Sequence, residues 1–263
     1  MLLKNKVAVI YGAGGAIGGA VARAFALEGA KVFLTGRKHA PVEAVAKEIQ
    51  SAGGTAEAVE VDALDEQAVD KHLQSVIDKV GRVDISFNAI DVPPEKIVGG
   101  PLTEIDVEKF FLPIANYTRS YFLTARLAAR RMVQNKSGVI MTVTAPTSRK
   151  GHSGNGGYGS SQAAKEALTR DLSAELAPHG IRVVGLRPNA IPETGTRREI
   201  FDIKAKPMGM TWEQFHGYLA ASTHTQRGMV LGEVANMAAF MASDKASGMT
   251  GTTVNLTMGT LDD

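Results

Sequence analysis

An apolar run, Val7–Tyr11, leads directly into Gly12-Ala13-Gly14-Gly15-Ala16-Ile17-Gly18. Gly12, Gly14 and Gly18 spell G-x-G-x-x-x-G, with Gly15 and Ile17 inside the turn; the strict G-x-G-x-x-G pattern fails because its sixth position is Ile17. A glycine turn between strand and helix lets the backbone approach a pyrophosphate. It also presents the free N–H groups of a helix N-terminus to an anion. Glycines serve tight turns for steric reasons too, but the place of these at the start of a βαβ unit points to dinucleotide binding.

The second chemical signal is Leu34-Thr35-Gly36-Arg37-Lys38. A unit that binds NAD carries an acid about 20 residues beyond the glycines, where it holds the ribose hydroxyls. That region holds no acid here. Arg37 and Lys38 suit a 2′-phosphate instead, which favours NADP over NAD. The plainer alternative is two solvated basic residues opening a helix.

Elements able to position these residues recur along the chain. Strands are expected at Val7–Tyr11, Lys31–Thr35, Ala56–Val61, Val83–Asn88, Gly138–Thr144, Ile181–Leu186 and Thr252–Leu256. Between them lie apolar residues at helical spacing: Ile17, Val21, Ala24 and Phe25, then Val42, Val45, Ala46 and Ile49, then Val69, Leu73, Ile77 and Val80. Right-handed crossovers through such helices give an α/β, Rossmann-like, doubly wound fold. Its seven-stranded parallel sheet has helices on both faces. No repeat or linker divides residues 1–263, which read as a single dinucleotide-binding domain. Two segments break the rhythm. Asp91–Pro101, with two consecutive prolines and Gly99-Gly100, is expected as a loop. Residues 188–227 form a long insertion whose Met208, Met210, Trp212, Phe215 and Tyr218 either cover a substrate as a lid or pack a short helix onto the body.

Composition excludes several chemistries. The chain has 263 residues, 44% hydrophobic and 21% charged, enough for a substantial core. A net charge of +2 with both signs interspersed gives no reason to expect nucleic acid. Without cysteine there is no disulfide, thiolate metal site or Cys nucleophile. The six histidines form no HExxH motif or compact cluster, so no metal is expected. No apolar run reaches the ~18 residues of a membrane span. Met1-Leu2-Leu3-Lys4-Asn5-Lys6 runs straight into a strand and leaves no room for a secretory segment, so a cytoplasmic protein is expected.

Across nearly the whole chain, the order and spacing of short motifs resemble the short-chain dehydrogenase/reductase family. Gly12 and Gly18 fall on its glycine turn, with Tyr11 and Ala16 replacing a threonine and the middle glycine. Val61-Asp62, followed by Ala63, resembles the strand end whose aspartate binds adenine. Asp84–Ile90 is similar to the segment ending Asn-Asn-Ala-Gly; Asn88 is kept, while Ala89, Ile90 and Asp91 replace the rest. Asn116, ahead of Tyr121-Phe122-Leu123-Thr124, stands as the active-site asparagine. Glu175 to Val183 resembles the approach to strand six, and Pro188-Asn189 stands for Pro-Gly. Ile191 and Thr194 follow, the latter as a carboxamide contact. The resemblance implies cofactor contacts at these positions.

In the family a tyrosine exchanges a proton with the substrate oxygen and a serine orients it. A lysine four residues after the tyrosine lowers its pKa, because a phenol titrates near ~10. Tyr158 is in place, but Gln162 stands for the lysine and Ala145 for the serine. Gln162 can still hydrogen-bond a ribose hydroxyl. Lys165, one turn later, either reaches the ribose or the tyrosine from a shifted origin or faces solvent. Thr144 and Ser148 are the hydroxyls near Ala145 able to substitute for the serine.

The resemblance thus implies an NADP(H)-dependent oxidoreductase that reduces a carbonyl or activated alkene of a small molecule. Reduction asks less of a depressed tyrosine pKa, because the phenol is then the donor. The departures leave open an NADP-binding sensor or partner subunit without turnover, and a non-redox lyase or cyclase. Family members associate through the helices that match Asp106–Asn135 and Tyr158–Ala177. A homodimer or homotetramer is therefore expected, although apolar helix faces serve an internal core equally well.

Overall fold

Val7–Tyr11 is apolar and buried at every position, as a strand covered on both faces must be. It is the first strand, β1, of the computed structural model, which describes residues 1–98 and 100–262. β2 (Lys31–Gly36), β3 (Thr55–Glu60), β4 (Ile85–Asn88), β5 (Gly138–Val143), β6 (Ile181–Pro188) and β7 (Thr252–Leu256) complete a parallel sheet in the order β3-β2-β1-β4-β5-β6-β7. The seven expected strands are all present, shifted at their ends by two residues at most.

The helices are α1 (Ala16–Leu27), α2 (His39–Ser51), α3 (Glu66–Val80), α4 (Pro94–Ile97), α5 (Val107–Asn135), α6 (Tyr158–Leu176), α7 (Gly195–Ile200), α8 (Trp212–Ala221) and α9 (Leu231–Ala242). On one face of the sheet α1, α2 and α9 pack Phe25, Ile49 and Met241 against Ile10, Leu34 and Val184. On the other, α3, α5 and α6 pack Leu73, Tyr121 and Leu172 against Val9, Phe33 and Val183. Each such side chain contributes about 1.5–3 kcal/mol relative to its exposed state.

Strand order reverses between β1 and β4, so a crevice opens at their carboxyl ends, where doubly wound sheets bind ligands. Tyr11 and Asn88 end the two strands side by side.

The segment Asp91–Pro101 is less irregular than expected. It contains α4, which Pro94 starts with its preset φ; Gly99 lies outside the described residues. The insertion at 188–227 is largely helical, with α7, a π-helical turn Phe201–Ala205, a 3₁₀ turn Lys206–Met208 and α8. Phe201 packs on Trp212 and Phe215 at centroid distances of 5.1 and 5.6 Å, and Met210 adjoins them. Met208 and Tyr218 are 80% and 68% exposed. Several of the insertion's apolar residues therefore build a small core of their own, while Met208 and Tyr218 stay outside it. Among the described residues no helix is long and apolar enough to cross a membrane.

Candidate active site

The glycine turn is built by backbone contacts that leave no space for side chains. Gly12 has φ +78°, and its N–H and that of Ala13 both donate to the Thr35 carbonyl at 3.0 Å. A Cβ on Gly12 would lie 2.5 Å from the Ala89 carbonyl oxygen, and one on Gly18 would lie 2.3 Å from that of Gly12. Gly14 faces α2, where a Cβ would meet Pro41 at 2.9 Å. Gly15 precedes α1 without any side-chain cap, so the first-turn N–H groups of this 12-residue helix are left for a ligand. An uncapped helix end behind a side-chain-free turn fits a pyrophosphate. Ile17 packs on a small cluster built by the buried Ile191, Met229 and Val234.

Arg37 and Lys38 are exposed just beyond the end of β2, and neither forms an ion pair among the described residues. Asp62 is exposed beyond β3 and accepts from its own turn, at Leu64 N (3.0 Å), while Ala63 is buried. Asn88 is buried and donates to Thr124 Oγ1 at 3.1 Å, tying β4 to α5. Pro188 ends β6; Asn189, after it, donates to Thr257 O and Thr260 Oγ1 at 3.3 and 3.0 Å. Thr194 accepts from Arg197 N at 3.3 Å and so caps α7.

At the mouth of β4 and β5 a polar cluster surrounds Tyr158. Tyr117 on α5 is buried, and its hydroxyl donates to Asp91 Oδ1 at 2.6 Å. The Tyr158 ring meets the Tyr117 ring edge-on, 5.7 Å between centroids. Lys165 is 1% exposed; its Nζ donates to the Val143 carbonyl at 2.5 Å and lies 5.4 Å from the centre of the Tyr117 ring. The alternative of a solvent-facing Lys165 is thereby overturned: α6 turns a buried stripe of Ser161, Gln162, Lys165, Glu166 and Thr169 inward. Burial pushes the Lys165 ammonium down to about 7, against the pull of the Asp91 carboxylate. Burial raises the Tyr158 phenol, Asp91 raises it further, and the Arg197 guanidinium opposes both.

Gln162 is buried, and its amide donates to Ser161 Oγ at 3.2 Å. Thr144 and Ser148, the hydroxyls expected to stand in for the serine, both turn to Glu166. Their hydroxyls donate to Glu166 Oε1 at 3.0 and 2.6 Å, and Glu166 is also gripped by Arg187 through two bonds of 2.8 and 2.9 Å. Although burial pushes the Glu166 carboxyl up, Arg187 and the two hydroxyls outweigh it and hold the carboxyl below its usual range. Such a buried charge has to keep its donors.

Sequence reasoning passed over Tyr117 in favour of its neighbour. Tyr117, Ser120, Tyr121 and Thr124 form a buried stripe on α5, and Asn116 falls half-buried just off it. The spacing of three, four and seven residues was the available signal. Thr196 and Lys204 of the insertion were missed as well. Thr196 Oγ1 donates to Asp91 Oδ2 at 3.0 Å, and Lys204 Nζ reaches Asn155 Oδ1 at 2.5 Å.

A profile of the family described as "Enoyl-(Acyl carrier protein) reductase" matches residues 12–260. The uncharacterized oxidoreductase YxbG of Bacillus subtilis is 33% identical over 249 residues, 95% of this chain and 88% of that protein. The 7alpha-hydroxysteroid dehydrogenase of Escherichia coli is 34% identical over 196 residues, 72% of each chain. The chain belongs to the short-chain dehydrogenase/reductase family. Among solved members, the sorbitol-6-phosphate 2-dehydrogenase of Erwinia amylovora superposes with a TM-score of 0.90 at 26% identity, covering 97% of this chain and 100% of that one. As a short-chain dehydrogenase/reductase the protein is an oxidoreductase of carbonyl or alcohol substrates, and relatives of its fold bind NAD(P).

Proposed function

We propose that the protein is an NADP(H)-dependent reductase of a carbonyl group or activated alkene, with Tyr158 as the proton donor. The observation that carries this reading is the placing of Tyr158 between Tyr117–Asp91 and Arg197, at the carboxyl end of the sheet. Burial and Asp91 keep its phenol protonated at neutral pH, the form a reduction requires. The turn of Gly12, Gly14, Gly15, Ile17 and Gly18 holds the pyrophosphate, and Arg37 with Lys38 holds the 2′-phosphate. Ala63 and Asp62 flank the adenine, Asn88 and Ala89 floor the crevice, and Pro188, Ile191 and Thr194 border the nicotinamide end. NADPH, when bound, supplies the hydride. Lys165, near neutrality in its affinity for a proton, takes the place of the missing lysine as the site's exchangeable acid beside Tyr117. Gln162 and Asn116 serve as neutral hydrogen-bonding groups. The exposed Val107, Phe111 and Phe122 along α5 support association of copies into a dimer or tetramer.

A second reading, NADP binding without turnover, has one observation in its favour: Gln162 is buried and neutral where the family places a cation. The two readings separate in one experiment. NADPH titration measures binding, and a panel of ketones, aldehydes and enones measures oxidation of the bound cofactor. Binding with oxidation supports the reductase; binding alone, even after Gln162→Lys, supports the second reading.

A further inference from the structure

The insertion holds a cation near Tyr158 that, among the described residues, forms no ion pair with an acid. Arg197 lies on α7 between two anchors. Its neighbour Thr196 bonds Asp91, and Lys204 reaches across to Asn155 Oδ1 and the Ser153 carbonyl (3.3 Å), in the loop that leads into Tyr158. Between these anchored neighbours, the Arg197 guanidinium stands close enough for its charge to favour the Tyr158 phenolate. Its Nε is sealed from solvent without a hydrogen-bond partner, and it forms no ion pair among the described residues. The next residue shows the contrast: Arg198 stacks on Trp212 at 4.7 Å and approaches Asp202 at 4.0 Å.

Arg197 is half-buried, and the sealed Nε has lost its water without gaining a partner, a cost that a hydrogen-bonding anion would offset. Lys204, a second cation, lies within the field of Arg197. Asp91, the acid near Tyr158, already accepts from Tyr117 and Thr196. Near the proposed donor there is thus one acid already supplied with donors and, among the described residues, one guanidinium without an ion pair.

We infer that Arg197 seats an acid group of the substrate, so that the compound reduced is an anion bearing a carboxylate or phosphate near its reactive carbonyl. The planar fork of arginine matches either group with paired hydrogen bonds. This inference rests on the reductase reading for the chemistry, but the seat itself is a binding property and can be tested apart from turnover.

The test uses the NADP-loaded protein and matched pairs: 4-oxopentanoate against its methyl ester, and dihydroxyacetone phosphate against dihydroxyacetone. Binding is measured by calorimetry and by the emission of Trp212, the single tryptophan, which packs on the same insertion. The acid of at least one pair binds about tenfold or more tightly than its neutral partner, and the pair that responds tells carboxylate from phosphate. Arg197→Ala abolishes that preference with NADP affinity unchanged, and Arg197→Lys keeps part of it. Equal binding of acid and neutral partners overturns the inference. So does a preference that survives Arg197→Ala, or a loss confined to NADP binding, which would assign the cation to the cofactor. Acid preference without NADPH oxidation would sink the reductase reading and leave the seat standing; oxidation of neutral compounds without acid preference would do the reverse.

Discussion

The Tyr117 hydroxyl and the Asp91 carboxylate share a 2.6 Å hydrogen bond, and Thr196 donates to the other oxygen of the same carboxylate at 3.0 Å. Asp91 stands at the position where the family resemblance led to a glycine, and Tyr117 one residue after the position given to an asparagine. The two substitutions complement each other. A phenol that fills the pocket next to Tyr158 has an acceptor, and the acceptor in turn fixes α7 over the site.

Removing one member of this pair tests its structural share. Tyr117→Phe leaves Asp91 bonded to Val92 N at 2.9 Å and to Thr196 but takes away its shortest bond. A stability loss of about 1–3 kcal/mol is expected in urea denaturation. Thr196→Val, which frees α7, should raise KM more than it lowers kcat. Equal effects on both constants would mean that α7 does not close on substrate.

Lys165 gives a pH signature. Its folded pKa is about 7 against an ordinary 10.5. Between those values the unfolded chain binds a proton that the folded protein does not, so stability rises with pH across this window. Below about 7 both states are protonated, and the burial penalty, at most about 5 kcal/mol, is felt in full. Lys165→Met removes that slope. The variant should exceed the wild type in stability most at pH 7 and below, and the margin should close towards pH 10.5. Parallel urea midpoints across that range would show that Lys165 is not held in a desolvated site.

The glycine turn separates packing from binding. In Gly18→Ala the new Cβ would stand 2.3 Å from the Gly12 carbonyl, so both folding stability and NADPH binding should fall. Gly15 has ordinary φ, and its Cβ would meet the Gly12 carbonyl at 3.3 Å. Gly15→Ala should therefore melt close to the wild type but bind NADPH more weakly, because only the ligand needs that space. Unchanged NADPH affinity in Gly15→Ala would move the pyrophosphate away from this turn.

Cofactor choice is tested at the end of β2. Arg37→Ala with Lys38→Ala should raise the Kd for NADPH by about 10–100-fold and leave that for NADH nearly unchanged. A parallel loss for both cofactors would contradict recognition of a 2′-phosphate.

Much of this architecture is legible in the sequence because its signals are local. Val7–Tyr11 is a strand since every residue in it is apolar, and the turn after it needs glycine for a positive φ and a close carbonyl contact. The chemistry is less legible because it depends on which helix face points inward. Lys165 reads equally as buried or solvated until α6 is packed on α5, and Asn116 differs from Tyr117 by a rotation of one residue. Thr144 and Ser148 look available until Glu166, 18 or more residues away, is seen to bind both. The insertion's Arg197 had no readable role, since its neighbours Thr196 and Lys204 are tied to Asp91 and Asn155 by contacts far apart in sequence.

Steady-state NADPH oxidation over a panel of ketones, aldehydes and enones, with wild type and Tyr158→Phe side by side, addresses the proposed activity itself. We expect substrate-dependent oxidation, a product heavier by two hydrogens, and a loss of about 10²–10⁴-fold in kcat for Tyr158→Phe. Tight NADPH binding with no oxidation of any compound, or a Tyr158→Phe enzyme as fast as the wild type, would contradict it.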